Sequence, residues 1–360
     1  MKLHARIVYS VFSIVLLMGM TFLRAQTPLI QSFSPASAPV DATLTLQGIN
    51  FGTNAAAVSV WLGPVRAPIQ QISHTQLTVR VPLGAHLSQP ILWKDSLMAM
   101  ASRQFSPAFS GGNTALTPVD FAAPAQQIPG LNPFVFDFDL DGKPDYSAVK
   151  GANQLAFYQN ISTPGNLEFV STYTLTTNYR VIDQTAADFN GDQKPDLAII
   201  VQSNVSSYIS IYPNTGTPGN ISFGAPVYYN LGSDYPYTLG SADIDGNGKC
   251  DLIVGYSSSG NAFSVLRQTG TNGNIAFAAK TNISFGTGGV GTNNKVVVSD
   301  LDGDNKPDVS VLGSYYRPIF CYRNTSSSGS VSFAAKLSVE TGRPNVITQS
   351  PYDLRLVDMD

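Results

Sequence analysis

The stretch Asp300 to Asp308 reads D-L-D-G-D-N-K-P-D, and the same phrase stands three times upstream, as DFDLDGKPD at 137–145, DFNGDQKPD at 188–196 and DIDGNGKCD at 243–251. Two more acids, Asp358 and Asp360, open a fifth copy where the sequence stops. First positions lie 51, 55, 57 and 58 residues apart. A period of that size marks a propeller or array, in which each unit is too small to bury a core without its neighbours.

The residues around each phrase keep a constant order. An apolar run (Val296-Val297-Val298) enters the phrase, a second (Val309-Ser310-Val311-Leu312) leaves it, and a third (Phe320-Cys321-Tyr322-Arg323) leads to a polar turn at 324–329. A fourth strand is expected to start at Ser330-Val331-Ser332-Phe333. The second unit repeats the layout with Leu197 to Val201, Tyr208 to Tyr212, a turn from Asn214 to Gly219, and Ile221-Ser222-Phe223. Four short strands separated by turns describe one propeller blade, so the expected class is all-β.

Acid usage supports turns over helices. Of the 24 acidic residues only Glu168 and Glu340 are Glu, and most of the Asp lie in the repeated phrase. Short carboxylates bond to nearby backbone N–H groups and favour turns, whereas Glu suits a solvated helix.

The pattern D-x-[DN]-x-[DN]-x-K-x-D, a hydrophobic strand and then N-T-x-x-x-G-x-x-S-F resembles the FG-GAP/VCBS repeat of integrin-type β-propellers over residues 117–360. That resemblance implies a calcium loop between the first two strands of each blade. Its ligands would be Asp137, Asp139, Asp141 and Asp145; Asp188, Asn190, Asp192 and Asp196; Asp243, Asp245, Asn247 and Asp251; and Asp300, Asp302, Asp304 and Asp308. The backbone carbonyls of Lys143, Lys194, Lys249 and Lys306 would add a ligand at position seven. It also implies a ring, most often of seven blades, which leads one to expect further units beyond Asp360.

The chemistry agrees with a hard cation. Oxygens at positions 1, 3, 5, 7 and 9 can wrap an ion that accepts six to eight of them. Zinc would ask for His or Cys, and the repeats contain no His. Without an ion, carboxylates ~5 Å apart would repel by about 1–3 kcal/mol per pair. An EF-hand needs an acid at position 12 and flanking helices, but Ala148, Ile199, Val254 and Val311 stand there. Position six should take a left-handed backbone, which suits Gly142, Gly248 and Asn305 better than Gln193. Asn190 and Asn247 each remove a charge, and affinities of about 10⁻⁴–10⁻³ M are expected of loops without a bidentate Glu.

Residues 1–25 carry Lys2 and Arg6 ahead of an apolar run from Ile7 to Leu23 and read as a secretory leader, with a retained anchor as the alternative. Residues 27–108 hold both Trp residues and short alternating runs such as Val58-Ser59-Val60-Trp61-Leu62. With PLIQSFSPASAPVDATLTLQGINFG at 28–52, they resemble the IPT/TIG immunoglobulin-like domain, and a spacer role is expected. Residues 109–130 read as a linker in which Phe121-Ala122-Ala123-Pro124 echoes the outer part of a blade and could close a ring. Residues 131–360 are the repeats, with four complete loops and a truncated fifth.

Composition narrows function. A net charge of -3 with no Lys/Arg run excludes a nucleic-acid track. His4, His74 and His86 all precede the repeats, and the clustered acids belong to loops, so general acid–base chemistry has few candidates. Cys250 and Cys321 occupy non-equivalent places and read as free thiols. The expected protein is a secreted or cell-surface, calcium-binding and non-catalytic propeller that presents a surface for adhesion or recognition. Its partner would be an extracellular glycan or protein, with no membrane span in the mature chain. The alternative is the non-catalytic propeller part of a larger extracellular carbohydrate-active enzyme.

Overall fold

A computed structural model describes residues 27–82, 85, 88–94, 97–108, 130–163, 166–257, 260–271, 273–285, 295–312 and 319–339. The leader, the linker through residue 129 with its blade-like echo, and the fifth copy lie outside the described residues.

The repeats form four antiparallel sheets of four strands, each laid down in chain order. Blade 1 comprises Leu131–Phe136, Asp145–Val149, Gln154–Asn160 and Phe169–Thr176. Blade 2 comprises Arg180–Ala187, Asp196–Gln202, Ser207–Tyr212 and Val227–Gly232. Blade 3 is built from Pro236–Ala242, Asp251–Tyr256, Asn261–Leu266 and Thr281–Ser284. Blade 4 is built from Lys295–Ser299, Asp308–Leu312, Ile319–Tyr322 and Leu337–Val339. Each Asp phrase forms the corner between a first and a second strand.

The second strands are buried along nearly their whole length because blades stack face to face, and those of blades 2 and 3 are apolar through most of it. In blade 2, Leu197, Ile199 and Val201 enter a core shared with blade 1, while Ala198 and Ile200 enter one shared with blade 3. Alternate residues of a strand point to opposite faces, so a strand covered on both sides shows no polar alternation.

First strands of successive blades lie against one another, tied by side-chain hydrogen bonds. Asn132 Nδ2 donates to the Ile182 carbonyl (2.7 Å), Asp183 Oδ2 accepts the Leu239 N–H (2.9 Å), and Thr238 Oγ1 accepts the Val296 N–H (3.1 Å). Asn132, Ile182, Asp183 and Thr238 line a cavity of about 560 Å³ at the end of the blades away from the Asp corners.

The fourth strand departs from expectation. Ile221 to Phe223 and Val331 to Phe333 belong to no strand; they fold back on the polar turn through the Asn214–Phe223 and Asn324–Phe333 bridges. The outer strand begins later, at Val227 and Leu337. The displaced Phe serves packing between blades: Phe223 meets Phe138 and Phe157 of blade 1, Phe277 meets Phe189 of blade 2, and Phe333 meets Phe263 of blade 3. Burying a ring against the neighbouring blade outweighs adding a residue to an exposed outer strand.

The N-terminal part is a sandwich. One sheet orders Leu29–Ser34, Thr43–Ile49, Gln76–Arg80 and Ile69–Ile72; the other orders Val65–Ala67, Val58–Leu62, Ile91–Lys94 and Leu97–Met100. Val60, Leu62, Leu92 and Ala99 face the sandwich core, and Trp61, Trp93 and Met98 face outward into the core of blades 2 and 3 with Phe189 and Cys250. The expected spacer is thus packed directly on the Asp corners. No helix among the described residues is long and apolar enough to cross a membrane.

Candidate metal sites

Each Asp corner is a succession of short-side-chain turns. The position-three side chain accepts the N–H of position five: Asp141 to Asp139 (3.1 Å), Asp192 to Asn190 (2.8 Å), Asn247 to Asp245 (3.1 Å) and Asp304 to Asp302 (3.2 Å). Position five accepts the Lys N–H of position seven at 2.7–2.9 Å in all four loops. Position one reaches across to the N–H of position six, as in Gly142 to Asp137 Oδ2 (3.1 Å) and Gln193 to Asp188 Oδ2 (2.8 Å). A Glu carboxylate would overshoot these amides, which explains the choice of Asp and Asn.

Two positions in every corner hold a left-handed backbone. Position six does so at Gly142, Gln193, Gly248 and Asn305 (φ +88°, +68°, +85° and +65°), so Gln193 takes the conformation its side chain disfavours. Position four does so as well, at Leu140, Gly191, Gly246 and Gly303.

Position nine has a separate duty. Asp145, Asp196, Asp251 and Asp308 are buried, and each spends one oxygen on the N–H of position two and the other on the N–H of a residue at or just past the end of the third strand, Asn160, Asn214, Gln268 and Asn324 in turn. For Asp196 these bonds come from Phe189 (3.0 Å) and Asn214 (2.8 Å); for Asp308, from Leu301 (2.9 Å) and Asn324 (2.7 Å). An oxygen that accepts a single such bond keeps a second lone pair for an ion, whereas Asp251 Oδ2 accepts two, from Ile244 (2.9 Å) and Asp245 (3.3 Å).

The corners also bind the next blade. Asn214 Nδ2 of blade 2 donates to the Phe138 carbonyl of loop 1 (2.8 Å), and Asn324 Nδ2 of blade 4 donates to the Ile244 carbonyl of loop 3 (2.8 Å). Gln268 makes the equivalent bond to the Phe189 carbonyl. The Nζ groups of Lys194 and Lys306 reach the carbonyls of Gly216 and Ser326 (2.9 and 3.0 Å), and Lys249 reaches Gly270. These lysines brace the loop while their carbonyls stay on the backbone.

Acid oxygens converge in three of the four loops. Ligand atoms of Asp137, Asp139 and Asp145, of Asp243, Asp245 and Asp251, and of Asp300, Asp302 and Asp304 lie within 4.8 Å of one another. Loop 2 gathers no such acid trio among the described residues because Asn190 stands at position three. Burial raises Asp137 to about 8, with Asp145, Asp139 and Asp141 adding repulsion. Burial likewise raises Asp145 and Asp243 to about 7 and Asp188 to about 6, and holds Asp196 and Asp251 well above the usual carboxylate range. Asp137 Oδ1 is buried and has no hydrogen-bond partner. Buried acids with an unpartnered oxygen fit a hard divalent cation, which would neutralise them and complete that oxygen.

Residues 137–199, 188–254 and 243–311 match the FG-GAP-like repeat in three overlapping copies, and residues 28–94 match the IPT/TIG domain. The chain carries an IPT/TIG domain followed by FG-GAP-like repeats. No curated protein matches it. Among solved structures it is similar to an auxiliary nutrient binding protein from Bacteroides thetaiotaomicron VPI-5482, at 12% identity over 86% of this chain and 85% of that one, with a TM-score of 0.31. It is also similar to an Agrocybe aegerita lectin described as recognising non-reducing terminal N-acetylglucosamine, at 12% identity over 82% and 92%, TM-score 0.40. A putative phosphatase from Bacteroides thetaiotaomicron VPI-5482 aligns at 14% identity over 86% and 85%, TM-score 0.27. Likenesses this distant say nothing of what the FG-GAP repeats here bind.

Two features of the FG-GAP loops were not foreseen from sequence. First, the TIG sandwich covers them: Pro64 accepts the Asp137 N–H (2.9 Å), Ala56 accepts from Gln193 Nε2 (3.1 Å), and the Met98 N–H donates to Gly248. Second, the residue just before each clasping Asn or Gln differs, being Gln159, Pro213, Arg267 and Arg323 in turn. Gln159 Nε2 donates to Asp139 Oδ2 (2.7 Å), Arg267 Nη1 to Asp245 Oδ2 (3.3 Å), and Arg323 to both Asp302 and Asp304. Their fixed place, one residue ahead of the clasp, was the available signal.

Proposed function

We propose that this chain is an exported, non-catalytic binding protein whose FG-GAP loops hold calcium, stiffening the blade corners so that the propeller presents a recognition surface to an extracellular glycan or protein. The observation that carries the calcium reading is the buried, unpartnered Asp137 Oδ1 within a converging cluster of carboxylates. The ion would be held by positions one, three and five, the position-seven carbonyl and position nine, and would supply the positive charge that these buried acids otherwise lack. The N-terminal leader supports export to a calcium-rich compartment. The acids in the described loops serve turns and clasps, and in this reading the ion, which supports a binding role over hydrolysis.

A melt in calcium against chelator tests the reading. At ~10 mM calcium and a dissociation constant of about 10⁻⁴–10⁻³ M, each filled loop contributes about 1.4–2.7 kcal/mol. Calcium should therefore raise Tm by several degrees, and Asp137→Ala should lose part of that gain. A melt that ignores the chelator would exclude calcium-linked folding. A glycan array run beside a turnover screen on the same glycans tests the recognition role: binding without turnover is expected, and turnover would overturn it.

A further inference from the structure

The four loops differ in what already sits on their carboxylates. In each, Oδ1 at positions three and five accepts a loop amide, and Asn190 in loop 2 and Asn247 in loop 3 carry Nδ2 in place of a second oxygen. Loops 1 and 4 have Asp at both positions, with Oδ2 atoms that take no amide of their own loop. In loop 4 both of these are taken: Arg323 Nε donates to Asp302 Oδ2, and Nη2 donates to Asp304 Oδ2 at 3.1 Å. The guanidinium spans two carboxylates that belong to one candidate cluster. At the equivalent place in loop 1 stands Gln159, which offers Asp139 a neutral amide, and there the buried Asp137 Oδ1 is left without a partner.

We infer that Arg323 is a built-in counter-cation of the fourth loop, held on two carboxylates of one candidate cluster, so that calcium must displace it and loop 4 binds more weakly than its four acids would otherwise allow. This rests on the calcium reading above. Electrostatics supports it, because a fixed positive charge on two ligands both occupies their lone pairs and repels a divalent ion. The side chain is 57% exposed, and its partners are 39% and 27% exposed. An exposed pair of this kind is weak and screened, so Arg323 competes with calcium without excluding it. Loop 3 carries a milder form, in which Arg267 touches Asp245 alone, at 3.3 Å.

Calorimetric titration of the full chain with calcium tests this with two reciprocal variants. Arg323→Gln, which gives loop 4 the residue of loop 1, should tighten one binding step about two- to five-fold, the range that loss of an exposed ion pair supports. It should also lower the melt in chelator, since Asp302 and Asp304 then face each other without a cation. Gln159→Arg should weaken one binding step by a similar factor. An Arg323→Gln variant with every binding step unchanged, or a Gln159→Arg variant that titrates as wild type, would overturn the inference. Calcium uptake absent from the wild type would instead overturn the calcium reading on which it stands.

Discussion

Gly142 and Gly248 hold the same place in their loops with almost the same backbone, φ +88° and +85°, yet their surroundings differ. A Cβ on Gly142 would meet nothing within 4 Å, whereas one on Gly248 would sit 2.7 Å from Leu97 Cδ2 of the sandwich. Gly142→Ala should therefore cost only the left-handed penalty of about 1 kcal/mol. Gly248→Ala adds an overpacked contact and should cost about 2–4 kcal/mol. Urea denaturation of the two variants compares them directly, and equal costs would place the sandwich away from loop 3. The left-handed demand at position six was legible, since two of four copies are Gly and one is Asn. The same demand at position four was equally written in Gly191, Gly246 and Gly303, but Leu140 in the first copy hides it. Leu140 bears that conformation because its side chain packs against the core shared by blades 2 and 3.

At the scale of the blade, the first three strands and the corner between them were readable because apolar runs and turn residues mark them directly. The fourth was not, since Ser-Val-Ser-Phe alternates like a strand while its Phe is claimed by the neighbouring blade. One of the ties between successive blades is also hard to read, because it rests on a single side-chain amide beside the polar turn. Asn324 Nδ2 serves two carbonyls, Ile244 and Pro307, at 2.8 and 3.0 Å, and its Oδ1 accepts the Ser326 N–H at 2.9 Å. Asn324→Asp keeps the acceptor and shape but removes both donors and sets a carboxylate against two carbonyls. With two buried acceptors left unsatisfied, it should lose about 2–4 kcal/mol. The equivalent Asn160 has one such bond, to the Pro144 carbonyl at 2.9 Å, so Asn160→Asp should cost less. Equilibrium unfolding that ranks the two in the opposite order would refute the clasp as an inter-blade tie.

Over the whole molecule, the class and the repeat could be read from one phrase, but the docking of the sandwich on the loops could not. Its trace in the sequence is the run Val58 to Leu62, apolar at four of five positions and therefore covered on both faces, as Val60 and Trp61 show by pointing into different cores. Periodicity reports that a face is buried and not against what. Covering the loops has a consequence for pH. In the metal-free chain Asp137 lies near 8, Asp145 and Asp243 near 7 and Asp188 near 6, all raised by burial above the ordinary value of about 4 of an unfolded chain. The folded form thus holds more protons than the unfolded form between those limits, and stability falls as pH rises. The contribution is complete below about pH 4 and is lost as pH climbs through 6 to 8. On the calcium reading proposed above, the ion would act with the opposite sign, since it would bind the deprotonated carboxylates and replace the protons they lose. Asp183, at the other end of the blades and raised by burial to about 6, shifts both conditions alike, and Asp183→Asn subtracts it. Melts in chelator should therefore be higher at pH 5.5 than at pH 8, and calcium should shrink or reverse that difference. A chelated protein whose melting temperature climbs steadily from pH 5.5 to 8 would show that the loop acids are ionised and satisfied without a metal.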